Sequence, residues 1–159
     1  MGCLGLGATS RLLDLACGSG GPMLRMAART GCAAIGLDHH TAGIAAAQAV
    51  ALERGLALLA SFRTGDAAVA LPFADAAFDA ITCIDAINHL PDRPAVLAAW
   101  RRVLKPGGRL LFTDPVVLTG PVTSVELAVR ASIGLFVFVP PGADEAMLRQ
   151  AGFTVERVV

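Results

Sequence analysis

The 159 residues include no tyrosine, and only 16% are charged, with 13 basic side chains balancing 13 acidic ones. Without an excess of either sign there is no summed field to draw in nucleic acid, an anionic membrane or a strongly acidic partner, so a small-molecule ligand is expected. The four cysteines, Cys3, Cys17, Cys32 and Cys83, contain no CxxC pair, which argues against a zinc site and a disulfide framework. His39-His40 has no acidic or cysteine partner at ligand spacing, so no metal is expected. The N-terminus, MGCLGLGATSR, lacks a basic region followed by a long apolar run, and Leu6 breaks a myristoylation pattern, so no targeting segment is read. The most apolar stretch, Ala131 to Ala143, contains two prolines and falls short of the roughly 20 residues a membrane helix needs. A reducing cytoplasm is the expected location, with no membrane association.

What remains is a chain 55% hydrophobic, enough for one core, read as one domain over 1–159. Short apolar runs alternate with stretches of helical period, the pattern of a parallel sheet with crossover helices, and this sets the class as α/β. Strands are expected at Arg11–Ala16, Cys32–Leu37, Leu58–Arg63, Phe78–Ile84 and Arg109–Asp114, with a sixth at Phe153–Val159. Pro22 suits the first turn of a helix running to Thr30. Thr41 is expected to cap a helix that carries Ile44, Ala47, Ala51 and Leu52 on one side and stops at Gly55. Asp92 is expected to cap a helix reaching Lys105, before the turn Pro106-Gly107-Gly108. Thr123 or Ser124 caps a helix through Arg130, Ile133–Val139 is helix or strand, and Asp144 caps a short helix ending at Gly152.

The chemistry centres on LLDLACGSGGP, Leu12 to Pro22, a strand that opens through Gly18, Gly20 and Gly21 into a helix. Residues without β-carbons let the backbone turn sharply and approach a ligand, and the free N–H groups of a helix start favour an anion. The alternative is a tight strand-to-helix turn with no ligand. Asp38, at the end of the second strand, stands where a carboxylate can accept hydrogen bonds from both ribose hydroxyls. Its alternative is an ordinary acid before a helix. Ala16, Gly18 and Gly21 match GxGxxG spacing with alanine first, so these two elements do not separate a nicotinamide cofactor from S-adenosylmethionine.

Four segments in order then resemble the class I S-adenosylmethionine-dependent methyltransferases: LLDLACGSGG, LDHH, GDAA, and LPFADAAFDAITCIDAINHL followed by RRVLKPGGRLLFTDP. The resemblance covers about Arg11 to Pro115, with 116–141 as a substrate-side segment and 142–159 as a terminal helix and strand. It implies a Rossmann-like, mostly parallel sheet with helices on both faces and strand order 3-2-1-4-5-(7)-6, the seventh strand being absent. It also implies S-adenosyl-L-methionine as cofactor, S-adenosyl-L-homocysteine as product, and methyl transfer to O, N or C of a small molecule.

Carried over by position, Asp14, Ala16, Gly18 and Gly20 surround the methionine end, Asp38 with His39 the ribose, and Asp66 with Ala67 the adenine. Ile84 and Asp85 border the sulfonium. Ala16 departs from the family's usual glycine, at little expected cost if the neighbouring glycines do the turning. Asp85, Asn88 and His89 stand where the family's acceptor enters, and a histidine there can take a proton from an O–H or N–H nucleophile. His89 is equally readable as a partly buried structural residue. Asp79, at the start of a strand, is read as structural, and Cys17 as a small packing residue. DAINHLPDR further resembles the small-molecule N-methyltransferases of glycine and its methylated derivatives.

Two other readings stay open. One is a methyltransferase-like domain that binds cofactor or a partner without catalysis. The other is an NAD-dependent oxidoreductase, opposed by the absence of tyrosine. The unfilled slot beside the fifth strand predicts a homodimer through the exposed sheet edge, strand exchange or poor solubility, unless the sheet rearranges.

Overall fold

The computed structural model describes residues 2–114, 121, 123–130, 132 and 134–158. Five strands form one sheet: β1 (Arg11–Leu15), β2 (Ala33–Asp38), β3 (Ala60–Thr64), β4 (Phe78–Cys83) and β5 (Leu104–Phe112), in the order β3-β2-β1-β4-β5. Every pairing is parallel, and Asp14 lies in register with Gly36 on one side and Thr82 on the other. β1 and β4 are buried almost throughout, as apolar strands covered on both faces are. The helices are α1 (Gly21–Thr30), α2 (Thr41–Glu53), α3 (Arg93–Val103), α4 (Ser124–Arg130) and α5 (Ala143–Gln150), with single 3₁₀ turns at Gly2–Leu4 and Ile87–His89.

Strand alternation divides the core. Leu13, Leu15, Ile81 and Phe78 face α3 and α5 around a fully buried Trp100, whose indole N–H donates to the Ala67 carbonyl at 3.3 Å. Leu12, Ala34 and Ala80 face the other way, against Met23, Leu24 and Ala27 of α1 and Ile44 and Ala47 of α2. The helices therefore lie on both faces of the sheet, and all five strands direct their C-terminal ends to one edge.

Several local expectations are corrected. The side chain capping α2 belongs to His40, whose Nδ1 accepts from the Gly43 amide at 3.2 Å, and not to Thr41. Leu52 is 73% exposed instead of sharing the buried side of that helix, because the stripe closes at Ala51. α3 ends at Val103, before Lys105, since Leu104 already pairs with Phe78 as the first residue of β5. Pro106-Gly107-Gly108 is consequently a bulge within a strand: Phe78 pairs with Leu104 and Ala80 with Arg109, so two steps along β4 match five along β5. Gly142, at φ 85°, precedes α5 in place of an Asp144 cap, because the Asp144 carboxylate is taken by Arg93.

The expected sixth strand is absent over Phe153–Val158. In the expected order a sixth strand pairs only with a seventh, and a backbone without a neighbouring ladder does not form a strand. The segment is tied down by side chains instead, with Phe153 packed on the Trp100 cluster and Glu156 3.3 Å from Arg109. Residues 135–138 are neither helix nor strand, and Val139 makes an isolated bridge; Ile133, Val159 and Pro115, where the family resemblance ends, lie outside the described residues. Among the described residues no helix is long and apolar enough to cross a membrane, and no group of His, Cys, Asp and Glu could hold a metal ion.

Candidate active site at the C-terminal edge of the sheet

Between β1 and β4 the strand order reverses, and this is where open α/β sheets leave a crevice. The turn after β1 is built by left-handed backbone. Ala16, Gly18 and Gly20 have φ of 53°, 53° and 73°. Gly20 precedes α1, and a β-carbon on it would stand 2.6 Å from the ring of Phe62, so the position demands glycine. Gly18 faces open space, with nothing within 4 Å of where its β-carbon would be. Ala16 corrects an expectation: it is itself in the left-handed region, so its β-carbon carries strain that the glycines do not relieve.

Asp14 lies below this turn and is 2% exposed, its Oδ1 accepting from the Thr82 hydroxyl at 2.6 Å. Burial pushes its carboxyl up to about 7, with Asp38 adding to the rise and the Thr82 hydrogen bond opposing it. Asp38 accepts from the Gly18 amide through Oδ2 and from the His40 amide through Oδ1, both at 2.8 Å. The acidic end of β2 is thereby joined to the glycine turn. Asp38 is buried and His39 beside it is exposed. Gly65 donates to the Asp38 carbonyl at 2.9 Å, which sets the loop after β3 against the same edge. There the Asp66 carboxylate accepts from the Ala68 amide at 2.8 Å, and Ala67 is buried.

The far side of the crevice follows β4. Ile84 is half-buried and Asp85 exposed, with Asp85 in left-handed backbone at φ 53°. Thr113 holds it there: the Asp85 amide donates to the threonine oxygen at 2.8 Å, and the hydroxyl donates to the Asp85 carboxylate. Strain in a non-glycine residue that is so fixed is common at functional sites. His89 ends the 3₁₀ turn, with Nδ1 2.8 Å from the Leu135 carbonyl and its ring edge-on to Phe136. Among the described residues no hydrogen bond joins Asp85 to His89, so these two do not form a dyad. Asn88 is 1% exposed, and among the described residues neither side-chain amide atom has a partner. Arg93, also buried, pairs with Asp114 at 2.8 Å and Asp144 at 2.6 Å.

The sequence-derived residues thus divide into a glycine-turn group (Asp14, Ala16, Gly18, Gly20, Asp38), a β3-end group (Asp66, Ala67) and a β4-end group (Ile84, Asp85, His89). All lie along one edge. Thr82, Thr113 and Arg93 were missed; the only sequence signal for Thr82 is its hydroxyl in an otherwise apolar strand. Asp79 is at the opposite edge, accepting from the Arg11 amide at 2.8 Å and the Lys105 ammonium at 2.7 Å, and the hydrogen bond from Lys105 chiefly lowers its pKa. Cys17 is buried among apolar side chains, and burial pushes its thiol up to about 12, as suits a packing residue. The shelf that carries the glycine turn lies at the C-terminal edge, opposite two surface depressions of about 210 and 240 Å³.

Residues 13–112 match the model of a methyltransferase domain family. The chain is 32% identical over 158 residues to a 27-O-demethylrifamycin SV methyltransferase of Amycolatopsis mediterranei, covering 98% of this chain and 58% of that protein. It is 30% identical over 160 residues to a ubiquinone biosynthesis O-methyltransferase of Pseudomonas fluorescens, covering 96% of this chain and 68% of that one. It thus spans between about half and two thirds of the length of such relatives. Among solved structures, the [4+2]-cyclase SpnF superposes with a TM-score of 0.85 at 31% identity, covering 98% of this chain and 55% of the cyclase. With its strand order, its glycine turn joined to Asp38 and a matching family model over most of its length, the chain belongs to the class I S-adenosylmethionine-dependent methyltransferases.

Proposed function

We propose that the shelf holds S-adenosylmethionine and that the protein transfers its methyl group to an oxygen of a small-molecule acceptor. The hydrogen bond from Gly18 to Asp38 carries this reading, because it fixes the glycine turn and the ribose-binding carboxylate as one rigid surface over the β1/β4 reversal. The residues fit the ligand. Gly18 opens onto free space, Asp38 keeps lone pairs for ribose hydroxyls beyond its two backbone contacts, and Asp14 is a buried carboxyl beside a cationic methionine end. Asp66 and Ala67 serve the adenine, and Ile84 and Asp85 border the reacting centre.

When bound, the cofactor supplies a methyl group already activated on a sulfonium, so the protein needs no covalent intermediate. Its tasks are alignment and proton removal. His89 takes the acceptor's proton on Nε2, since Nδ1 faces a carbonyl, which can only accept. Oxygen is preferred over nitrogen or carbon because the two methyltransferase relatives above include one named for O-methylation and one for a 27-O-demethyl substrate.

The test is transfer of label from methyl-tritiated S-adenosylmethionine to a panel of phenolic, alcoholic, amine and carbon acceptors, by wild type and His89→Gln. Label on oxygen that falls at least about 100-fold in the variant is expected, the usual scale of general-base catalysis. Label on nitrogen or carbon, or undiminished transfer by the variant, overturns the reading. The likeness to a [4+2]-cyclase favours a second reading, in which the domain binds cofactor without transferring its methyl group, since that protein pairs this fold with an activity other than methylation. Tight cofactor binding with no acceptor labelled is its signature.

A further inference from the structure

We propose that Arg93 is a positioning residue for His89: it clamps the segment 135–139 so that the Leu135 carbonyl fixes the proton on His89 Nδ1 and leaves Nε2 as the basic nitrogen. The use of Nε2 rests on the proposed function above; the clamp does not.

Residues 135–138 have no helix or ladder of their own and Val139 makes only an isolated bridge, so contacts from outside must hold them. Leu135 is 54% exposed, and hence its side chain does not anchor it. Among the described residues three polar contacts hold residues 135–137. His89 Nδ1 is 2.8 Å from the Leu135 carbonyl, the Val137 amide donates to the Asn88 carbonyl at 2.7 Å, and Arg93 Nη2 donates to the Val137 carbonyl at 3.1 Å. The Phe136 ring, 4.5 Å from the imidazole by centroids, adds an edge-on contact.

Of these, only Arg93 ties the segment to a third part of the fold. Its side chain is 1% exposed and spans Asp114, just past β5, and Asp144 in α5. Burying a guanidinium with two carboxylates gains little stability over apolar packing, which points to a role in geometry. A planar fork can satisfy two carboxylates and a carbonyl together; an ammonium on a flexible stem does not reproduce that arrangement. A carbonyl oxygen only accepts, so the neutral ring of His89 must carry its hydrogen on Nδ1. Losing the carbonyl frees the ring to take the other tautomer and to rotate, and a wrong tautomer at a comparable base costs catalysis up to about 10⁴-fold.

The chain has three histidines, so the imidazole ¹⁵N shifts of the full-length protein resolve the question, with His89→Gln assigning the signal and the exposed His39 and His40 as internal controls. Wild type is expected to show a protonated Nδ1 and an unprotonated Nε2 in the neutral ring. Arg93→Lys, and the milder Asp144→Asn at a 15% exposed carboxylate, are expected to lower the Nδ1–H preference at least about threefold and to leave the other two histidines unchanged. In the transfer assay both variants should lose kcat about 10-fold or more while KM for S-adenosylmethionine stays within about twofold, a split that general loosening of the fold would not give.

A wild-type His89 protonated on Nε2, or an unchanged tautomer in the variants, overturns the clamp. If Arg93→Lys does not fold, Asp144→Asn decides. Altered tautomers with unaltered kcat support the clamp and overturn the role of His89 as base, so the two failures are distinguishable.

Discussion

Asp14→Asn should make the protein more stable above neutrality and worse at holding its cofactor. The carboxyl is 2% exposed and raised by burial from 3.8 to about 7. The folded state therefore keeps its proton over a range in which the unfolded chain has lost it. Stability from this group is intact below about pH 3.8, declines as pH rises, and is fully lost above about 7. At about 1.4 kcal/mol per pH unit, the loss reaches up to about 4 kcal/mol by pH 8. Asparagine has no charge to desolvate, and its carbonyl can still accept from the Thr82 hydroxyl. The assay is urea unfolding at several pH values from 4 to 8, read by the fluorescence of Trp100, the one tryptophan, which is fully buried. Subtracting wild type from variant removes the other carboxylates, and the difference should grow toward pH 8. A difference constant within about 0.5 kcal/mol, or one favouring wild type at pH 8, refutes the reasoning. Because a cationic ligand favours the ionised carboxylate, wild-type affinity for S-adenosylmethionine should fall as pH drops below about 7, with proton release visible in buffer-dependent binding enthalpies.

Ala16→Gly should raise stability by about 1 kcal/mol in thermal unfolding, since φ of 53° strains a β-carbon; an unchanged or lower Tm contradicts this. Gly20→Ala should cost more than about 2 kcal/mol, combining left-handed strain with a contact 2.6 Å from the Phe62 ring, and a loss under about 0.5 kcal/mol would show that the ring yields freely. The outer edge of β5 has no strand partner among the described residues, and Leu110, Leu111 and Phe112 on it are half-exposed. Light scattering is expected to show a homodimer, lost on placing lysine at Leu111; a monomer at all concentrations contradicts edge pairing.

The strands at the centre were legible because burial on both faces leaves an unbroken apolar run, as in RLLDL and FDAITC. The turn and the acid at their ends were legible because both are local signals, and the structure joins them through Gly18 and Asp38. Features that depend on distant partners were not. Thr82 reaches Asp14 across 68 positions and Thr113 reaches Asp85 across 28, and nothing near either threonine in sequence announces the match. Arg93 reads as an ordinary helix-start cation until α5 and residue 137 are folded against it. The Pro-Gly-Gly bulge misled for a similar reason, since only the register with β4 shows that the strand continues through it.

Isothermal titration of the chain with S-adenosylmethionine, repeated on Asp38→Ala, tests most directly whether the shelf over β1 and β4 is the cofactor site. Stoichiometric binding by wild type, weakened at least about 30-fold in the variant for two lost charge-assisted hydrogen bonds to the ribose, is the predicted result. Equal binding by both proteins, or none by wild type, would contradict it.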